Sequence, residues 1–409
     1  IFPDSLYLQK MTGILKHQLG EDKDALLHFQ HFIGGNPENQ KIKIQMAEIE
    51  FKYEMYDSVI NHLKDIDRTY LTDTIITAVA ISCFKINRYD DAIDWAQKGL
   101  KNNPTDTTLL RICATACEKA DNLKEARDYY VKLSALKKGR EQSDIKYHIG
   151  ELLEKEGKLE NALEVYTDNI NNHPRDYRNF HRVSDIFIKQ KNLAEAEKIL
   201  AEAVSKNIAP PEFLKRIAEI HLWQNNTKTA VNWYKKYVDI MPDDFEAWKN
   251  IGSIYHSKGN FSKAVLPLQK ARNINPEDFG TLVLLAEALY ETNRKIASIN
   301  TAQKALSINP ESLTALKTLT GCYRDLQLKK ELAGALKRIC EVRPNFISYL
   351  ELGNLLIEMR DTTGGVQQLE NAAKMNPGDS RIRVLISGIY ESLRNNESRK
   401  AYLMEALEI

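Results

Sequence analysis

The prolines set the first constraint. From Pro242 they fall at Pro276, Pro310, Pro344 and Pro377, in steps of 34, 34, 34 and 33, and Pro37, Pro104 and Pro174 lie upstream. Eight of the twelve prolines thus stand in one slot of a 34-residue period, which composition alone does not produce. An alanine ladder has the same phase: Ala92, Ala126, Ala162, Ala196, Ala230 and Ala264 are spaced 34, 36, 34, 34 and 34. The step of 36 places a two-residue insertion near Lys137-Lys138-Gly139-Arg140. Gly13, Gly150, Gly252 and Gly353 each precede a ladder proline by 24 residues. A chain repeating at this interval folds as a stack of like units, each contacting mainly its neighbours, not round one central core.

The stretch from Ala247 to Pro276 shows what is repeated. Trp248, Ile251, Gly252 and Tyr255 fall at i, i+3, i+4 and i+7, one face of a helix. Asp243 with Glu246 reads as a capping box, and Lys258-Gly259-Asn260 as a stop. Phe261, Ala264, Val265, Leu268 and Ala271 mark a second helix, closed at Asn275-Pro276. Gly252 and Ala264 are small, so the two backbones can approach closely. A lone hairpin of this size cannot bury both apolar faces and needs neighbours.

Trp248, Ile251, Gly252, Tyr255, Ala264, Leu268, Ala271 and Pro276 together resemble the tetratricopeptide signature, W-x2-L-G-x2-Y, then A-x3-F, then P. Another repeat keeps Gly150, Ala162, Tyr166 and Pro174, and another Ala114, Ala126, Tyr130 and Leu133. Ser298 and Leu332 depart from the alanine slot, and the repeat ending near Tyr70 is weak. The resemblance implies an all-α, right-handed superhelical solenoid of about twelve helix-turn-helix repeats, a single array over 1–409. Their approximate bounds are 5–37, 38–70, 71–104, 105–140, 141–174, 175–209, 210–242, 243–276, 277–310, 311–344, 345–377 and 378–409. The first residue is Ile1, and the terminal AYLMEALEI reads as a second helix with Leu403, Ala406 and Leu407 on one face and no polar cap. Both features suggest a fragment of a longer chain.

Composition narrows function by exclusion. With 43% hydrophobic and 28% charged residues the chain suits helices with one buried stripe. Its net charge of +1 gives no field that would gather nucleic acid or a membrane surface. No apolar run approaches the ~20 residues of a spanning helix. Cys83, Cys113 and Cys117 fall where Tyr255 or Ile251 falls, so the five cysteines read as small buried hydrophobes. Free thiols favour the cytoplasm, with the periplasm as the alternative. There is no G-x-G-x-x-G, P-loop, H-E-x-x-H or G-x-S-x-G. We expect no enzyme activity, no cofactor and no metal. His28-x-x-His31 lacks further ligands, and Gly34-Gly35 and Gly364-Gly365 read as turn glycines. Pro267, inside a second helix, reads as a tolerated kink facing solvent, with a tuned bend in the superhelix as the alternative.

In tetratricopeptide proteins the first helices line the concave surface. Stepping through the repeats at those positions gives an acidic line, Glu151, Asp185, Glu219, Ser253 and Glu287. One turn earlier stand Tyr147, His181, Lys215, Lys249, Val283 and Lys317; Trp223 and His256 lie one turn later than the line. One expectation is a groove of Tyr147, Glu151, His181, Asp185, Lys215, Glu219, Trp223, Lys249, Ser253, His256 and Glu287 that binds a partner segment, possibly a basic one. The other is pairing within a helix, His181 with Asp185 and Lys215 with Glu219, on a solvated face. Only Asn354 occupies the asparagine slot of the chaperone-tail clamp, and Leu350 replaces the lysine it needs, which argues against that subfamily. The function expected is a non-catalytic protein–protein interaction scaffold for assembly of a larger complex. The alternative is the recognition part of a larger enzyme or export machine, such as a glycosyltransferase or a polysaccharide-export protein, with further domains on the same polypeptide.

Overall fold

The computed structural model describes residues 3–409. Among them are twenty-four α-helices, one short 3-10 turn at Arg68–Tyr70 and no strand. The helices pair in sequence into antiparallel hairpins, and the contacts divide the chain into two compact units, Ile1–Pro210 and Pro211–Ile409.

The first unit has six hairpins: α1 (Pro3–Gln18) with α2 (Asp22–Gly35), α3 (Gln40–Lys52) with α4 (Tyr56–Leu63), and α5 (Asp73–Lys85) with α6 (Tyr89–Asn102). Then follow α7 (Thr107–Lys119) with α8 (Leu123–Leu136), α9 (Gly139–Lys155) with α10 (Leu159–Asn172), and α11 (Tyr177–Lys189) with α12 (Leu193–Ser205). The second unit begins with α13 (Glu212–Trp223) and α14 (Thr227–Ile240), α15 (Phe245–Ser257) and α16 (Phe261–Ile274), and α17 (Phe279–Glu291) and α18 (Lys295–Ile308). It continues with α19 (Leu313–Asp325) and α20 (Lys329–Val342), α21 (Phe346–Glu358) and α22 (Thr362–Met375), and α23 (Ser380–Ser392) and α24 (Asn396–Leu407). The weak repeat near Tyr70 is where α4 stops after eight residues.

The ladder prolines work through the residue two places on. Asn39, Asp106, Asp176, Asp244, Asp278, Ser312 and Asp379 each follow a ladder proline by two and accept a backbone N–H from the first turn of the next helix. This corrects the cap of α15: Asp244, not Asp243, takes the Ala247 N–H at 2.8 Å. At the other end each hairpin turn carries one residue at positive φ. In α15 the turn is a Schellman closure, with Gly259 donating to His256 and Asn260 to Tyr255, both at 2.9 Å. Only three of these turns use glycine; Asn87, Asn225, Asn293 and even Lys191 and Arg360 take the strained conformation elsewhere.

Four hairpins close where a glycine of the first helix, Gly13, Gly150, Gly252 or Gly353, meets a large side chain of the second. A Cβ added at Gly252 would sit 2.6 Å from Leu268, and one at Gly150 2.3 Å from Tyr166. The departures at the alanine slot are absorbed. Ser298 is buried and donates its hydroxyl to the Ala286 carbonyl at 2.6 Å, and Leu332 packs with Ala335 and Leu336. Two expectations fail. Pro267 is buried within α16, so its ring belongs to the core side of that helix. Gly34 and Gly35 end α2, and Gly364 and Gly365 open α22; a Cβ on Gly365 would meet the Gly353 carbonyl at 2.9 Å, so close helix packing, not a turn, requires it. Leu407 is 82% exposed and α24 buries no residue, though its Tyr402 hydroxyl reaches back to Glu370 of α22.

Candidate first-helix binding face

The residues expected to form one groove fall in both units, and each part stands on its own geometry. In the first unit, α9 carries Tyr147 and Glu151, and α11 carries His181 and Asp185. Glu151 is not an open acceptor: Arg182 reaches it at 2.6 Å from α11, and His148 lies 3.2 Å away. Arg182 also donates to the Tyr147 hydroxyl at 3.1 Å, and Arg178 covers the Tyr147 ring at 4.9 Å. His148 bridges on to Glu118 of α7 at 2.7 Å. Three successive first helices are thus laced by charge. Burial opposes ionisation of Glu118, but His148 and Lys155 outweigh it and hold the carboxyl below its usual range. His181 and Asp185 do pair within α11, at 3.2 Å.

In the second unit Lys215 does not pair with Glu219. It reaches the cap of the next first helix, Asp244, at 2.8 Å, and Lys249 likewise reaches Asp278 at 3.2 Å. Both lysines therefore tie one hairpin to its successor. Burial works against the Asp244 carboxylate, yet Lys215, the Ala247 N–H and the Tyr237 hydroxyl together lower its pKa. Glu219 lies 3.4 Å from Arg216, whose guanidinium sits 5.6 Å from the centre of the Trp223 ring. Glu287 lies 3.2 Å from His256, an ion pair when that imidazole is protonated. Ser253 is half-buried between these helices. Trp223 remains 53% exposed.

Sequence reasoning missed the apolar end of this face. In register with Glu246, Lys249 and Asn250 of α15 stand Ile347 on α21 and Val384 and Leu385 on α23. They are 71%, 51% and 40% exposed. The signal was available, since apolar residues at these slots break a pattern that is polar in α15. Also missed were Arg182 and Arg216, which neutralise the acidic line from the position beside it. His28 bonds Gln9 at 2.6 Å, and among the described residues no group of three or more His, Cys, Asp or Glu is placed to share a metal ion. All five cysteines are free and buried. No helix among the described residues is long and apolar enough to cross a membrane.

A family model for the tetratricopeptide repeat matches residues 245–278 and 380–409. Those two stretches, α15 with α16 and α23 with α24, are tetratricopeptide repeats, and the other hairpins repeat their helix–turn–helix form. No curated protein matches the chain. Solved structures similar to it include YrrB, described as a TPR protein with an unusual peptide-binding site, at 16% identity over 45% of this chain and 95% of that one, with a TM-score of 0.39. The C-terminal part of a TPR repeat-containing protein from Cytophaga hutchinsonii matches at 16% identity, 58% and 97% coverage and a TM-score of 0.42. Naa15/Naa10 bound to HypK-THB matches at 13% identity, 89% and 68% coverage and a TM-score of 0.43. The tetratricopeptide hairpins of this chain supply a helical scaffold of the kind suited to protein–protein interaction.

Proposed function

We propose that this chain is a non-catalytic scaffold that holds a partner segment on the first-helix face of its second unit, during assembly of a larger complex. The observation that carries the reading is the exposure of Ile347, Val384 and Leu385 in slots that are polar in α15. Side chains of this kind give up water when a partner covers them, at about 25 cal/mol per Å² of apolar surface. The ion pairs along the rest of the face are already made, so each adds little to binding, ~0.2–1 kcal/mol. The partner is an extended or helical segment with apolar anchors for α21 and α23. Basic residues on it extend the contact towards Glu219 and Glu287, whose side chains stay 28% and 37% exposed.

The test is a titration with a partner isolated on the intact chain. Ile347→Glu with Val384→Glu is expected to weaken binding by at least tenfold. Reversing Glu219 and Glu287 to lysine should weaken it less and flatten its salt dependence. If the Ile347/Val384 variant folds and binds as the parent does, the first-helix face of the second unit is not the site.

A further inference from the structure

The two-residue insertion marked by the alanine ladder plays no part in that face. It enters α9, which runs 17 residues where α7 and α11 run 13. Ser143 stands in register with Tyr177 of α11 and Phe245 of α15, so residues 139–142 are an added turn. That turn and the α10–α11 loop enclose a cleft of about 620 Å³, a size that admits several side chains. Ser143 helps to make it, being short where α11 and α15 carry rings; its hydroxyl donates to Asp176 at 2.8 Å.

The cleft is basic. Arg140, Arg175 and Arg178 line it against one carboxylate, Asp176. Arg178 is committed, at 2.7 Å from Asp176 and bonded also to Asp144. Arg140 and Arg175 have no acidic partner among the described residues. The nearby Glu141 is taken by Arg111 at 2.7 Å and Lys137 at 3.1 Å. The residue after the ladder proline is Glu38, Thr105, Asp243, Glu277, Glu311, Asn345 or Gly378 in other hairpins, and arginine only at Arg175. His173, also on the wall, has its Nε2 shut off from water with no hydrogen-bond partner. Pro174 and Tyr177 add apolar surface beside these groups.

We propose that this cleft binds an acidic peptide segment of a partner protein, with carboxylates on Arg140 and Arg175 and an apolar side chain on Pro174 and Tyr177. A guanidinium without a carboxylate offers two parallel donors to one. The volume and the apolar wall favour a peptide over a lone inorganic anion. The site is separate from the first-helix face of the second unit, and either can fail without the other.

The probe is a fluorescein-labelled peptide, Glu-Glu-Phe-Glu-Asp, followed by fluorescence anisotropy on the full chain. Saturable binding that weakens with salt is expected. Arg140→Glu with Arg175→Glu should weaken it by about tenfold or more, the loss of charge-assisted hydrogen bonds. Both side chains are exposed, and an unchanged thermal melt verifies the fold. The same charge change at exposed Lys263 and Lys270 on α16 should leave binding as it was. Replacing the peptide's Phe with Ala should weaken it. No saturation up to about 1 mM overturns the proposal. So does equal loss in the α16 control, indifference to the Arg140/Arg175 reversal, or displacement by inorganic phosphate at concentrations below those of the peptide.

Discussion

Gly252→Leu is the sharpest probe of how these hairpins hold together. The glycine faces Leu268 across α15 and α16. Its added Cβ would lie 2.6 Å from Leu268 Cγ and Cδ2, and 3.3 Å from the Leu268 backbone nitrogen. Leu268 is fully buried and packs with Val265, Leu285 and Leu289, so it has no empty space to enter. The branch point and the backbone both block the way; rotating a side-chain tip is not enough. The leucine then brings three further carbons. Overpacking of this kind costs about 1–3 kcal/mol. Urea unfolding should read that loss, and hydrogen exchange should place it. In a repeat array exchange rises in α15, α16 and the flanking α14 and α17, while hairpins further along keep their protection. Gly334→Ala is the control, because nothing lies within 4 Å of its added Cβ. On α20 it should gain about 0.5–1 kcal/mol from helix propensity alone. Unchanged stability in Gly252→Leu would refute the close approach. Equal loss of protection along the whole chain would refute the nearest-neighbour picture.

Two further outcomes follow from the buried polar and sulfur groups. Asp244→Asn removes the charge that Lys215 and Tyr237 hold, at about 1–2 kcal/mol near neutral pH. The folded pKa of Asp244 is lowered, so its contribution is present above the unfolded value of about 3.9 and is lost as pH falls through the folded one. Urea titrations should therefore show parent and variant converging below about pH 4; a gap that persists there contradicts the ion pair. Burial pushes the thiols of Cys83, Cys117 and Cys340 to about 11 and that of Cys113 to about 12. An aromatic disulfide reagent at pH 8 should label them only as fast as the hairpins open, and rapid labelling of the folded chain would contradict their burial.

The period was legible because it is written in residues with one backbone role each. The ladder prolines stand in the links between hairpins, two residues before most of the next caps, and Gly252 and Ala264 are the small residues that let two helices touch. The charge ladder was less legible for a geometric reason. Lys215 and Glu219 are one turn apart, and sequence reasoning pairs them. The structure sets Lys215 beside Asp244, 29 residues on, because the next first helix starts at that height. Lys249 repeats the step to Asp278. Arg182 reaches Glu151 back across one repeat in the same way. Pro267 was misplaced because helical phase alone does not tell which second-helix positions the next hairpin covers. The insertion at Lys137–Arg140 was visible as a count, but not that it would become a helical turn standing over the α10–α11 loop.

A partner on the first-helix face of the second unit would cover Ile347, Val384 and Leu385. Hydroxyl-radical footprinting of the chain with and without its partner tests this most directly, because the method reads side chains one by one. Trp223, Ile347 and Leu385 report on the first helices; Leu266 and Ile296, 61% and 63% exposed, report on the second helices. Bound partner is expected to protect Ile347 and Leu385, with Trp223 following if the segment runs the length of the face, and to leave Leu266 and Ile296 as reactive as before. Protection of Leu266 and Ile296 with Ile347 and Leu385 unchanged would contradict that placement.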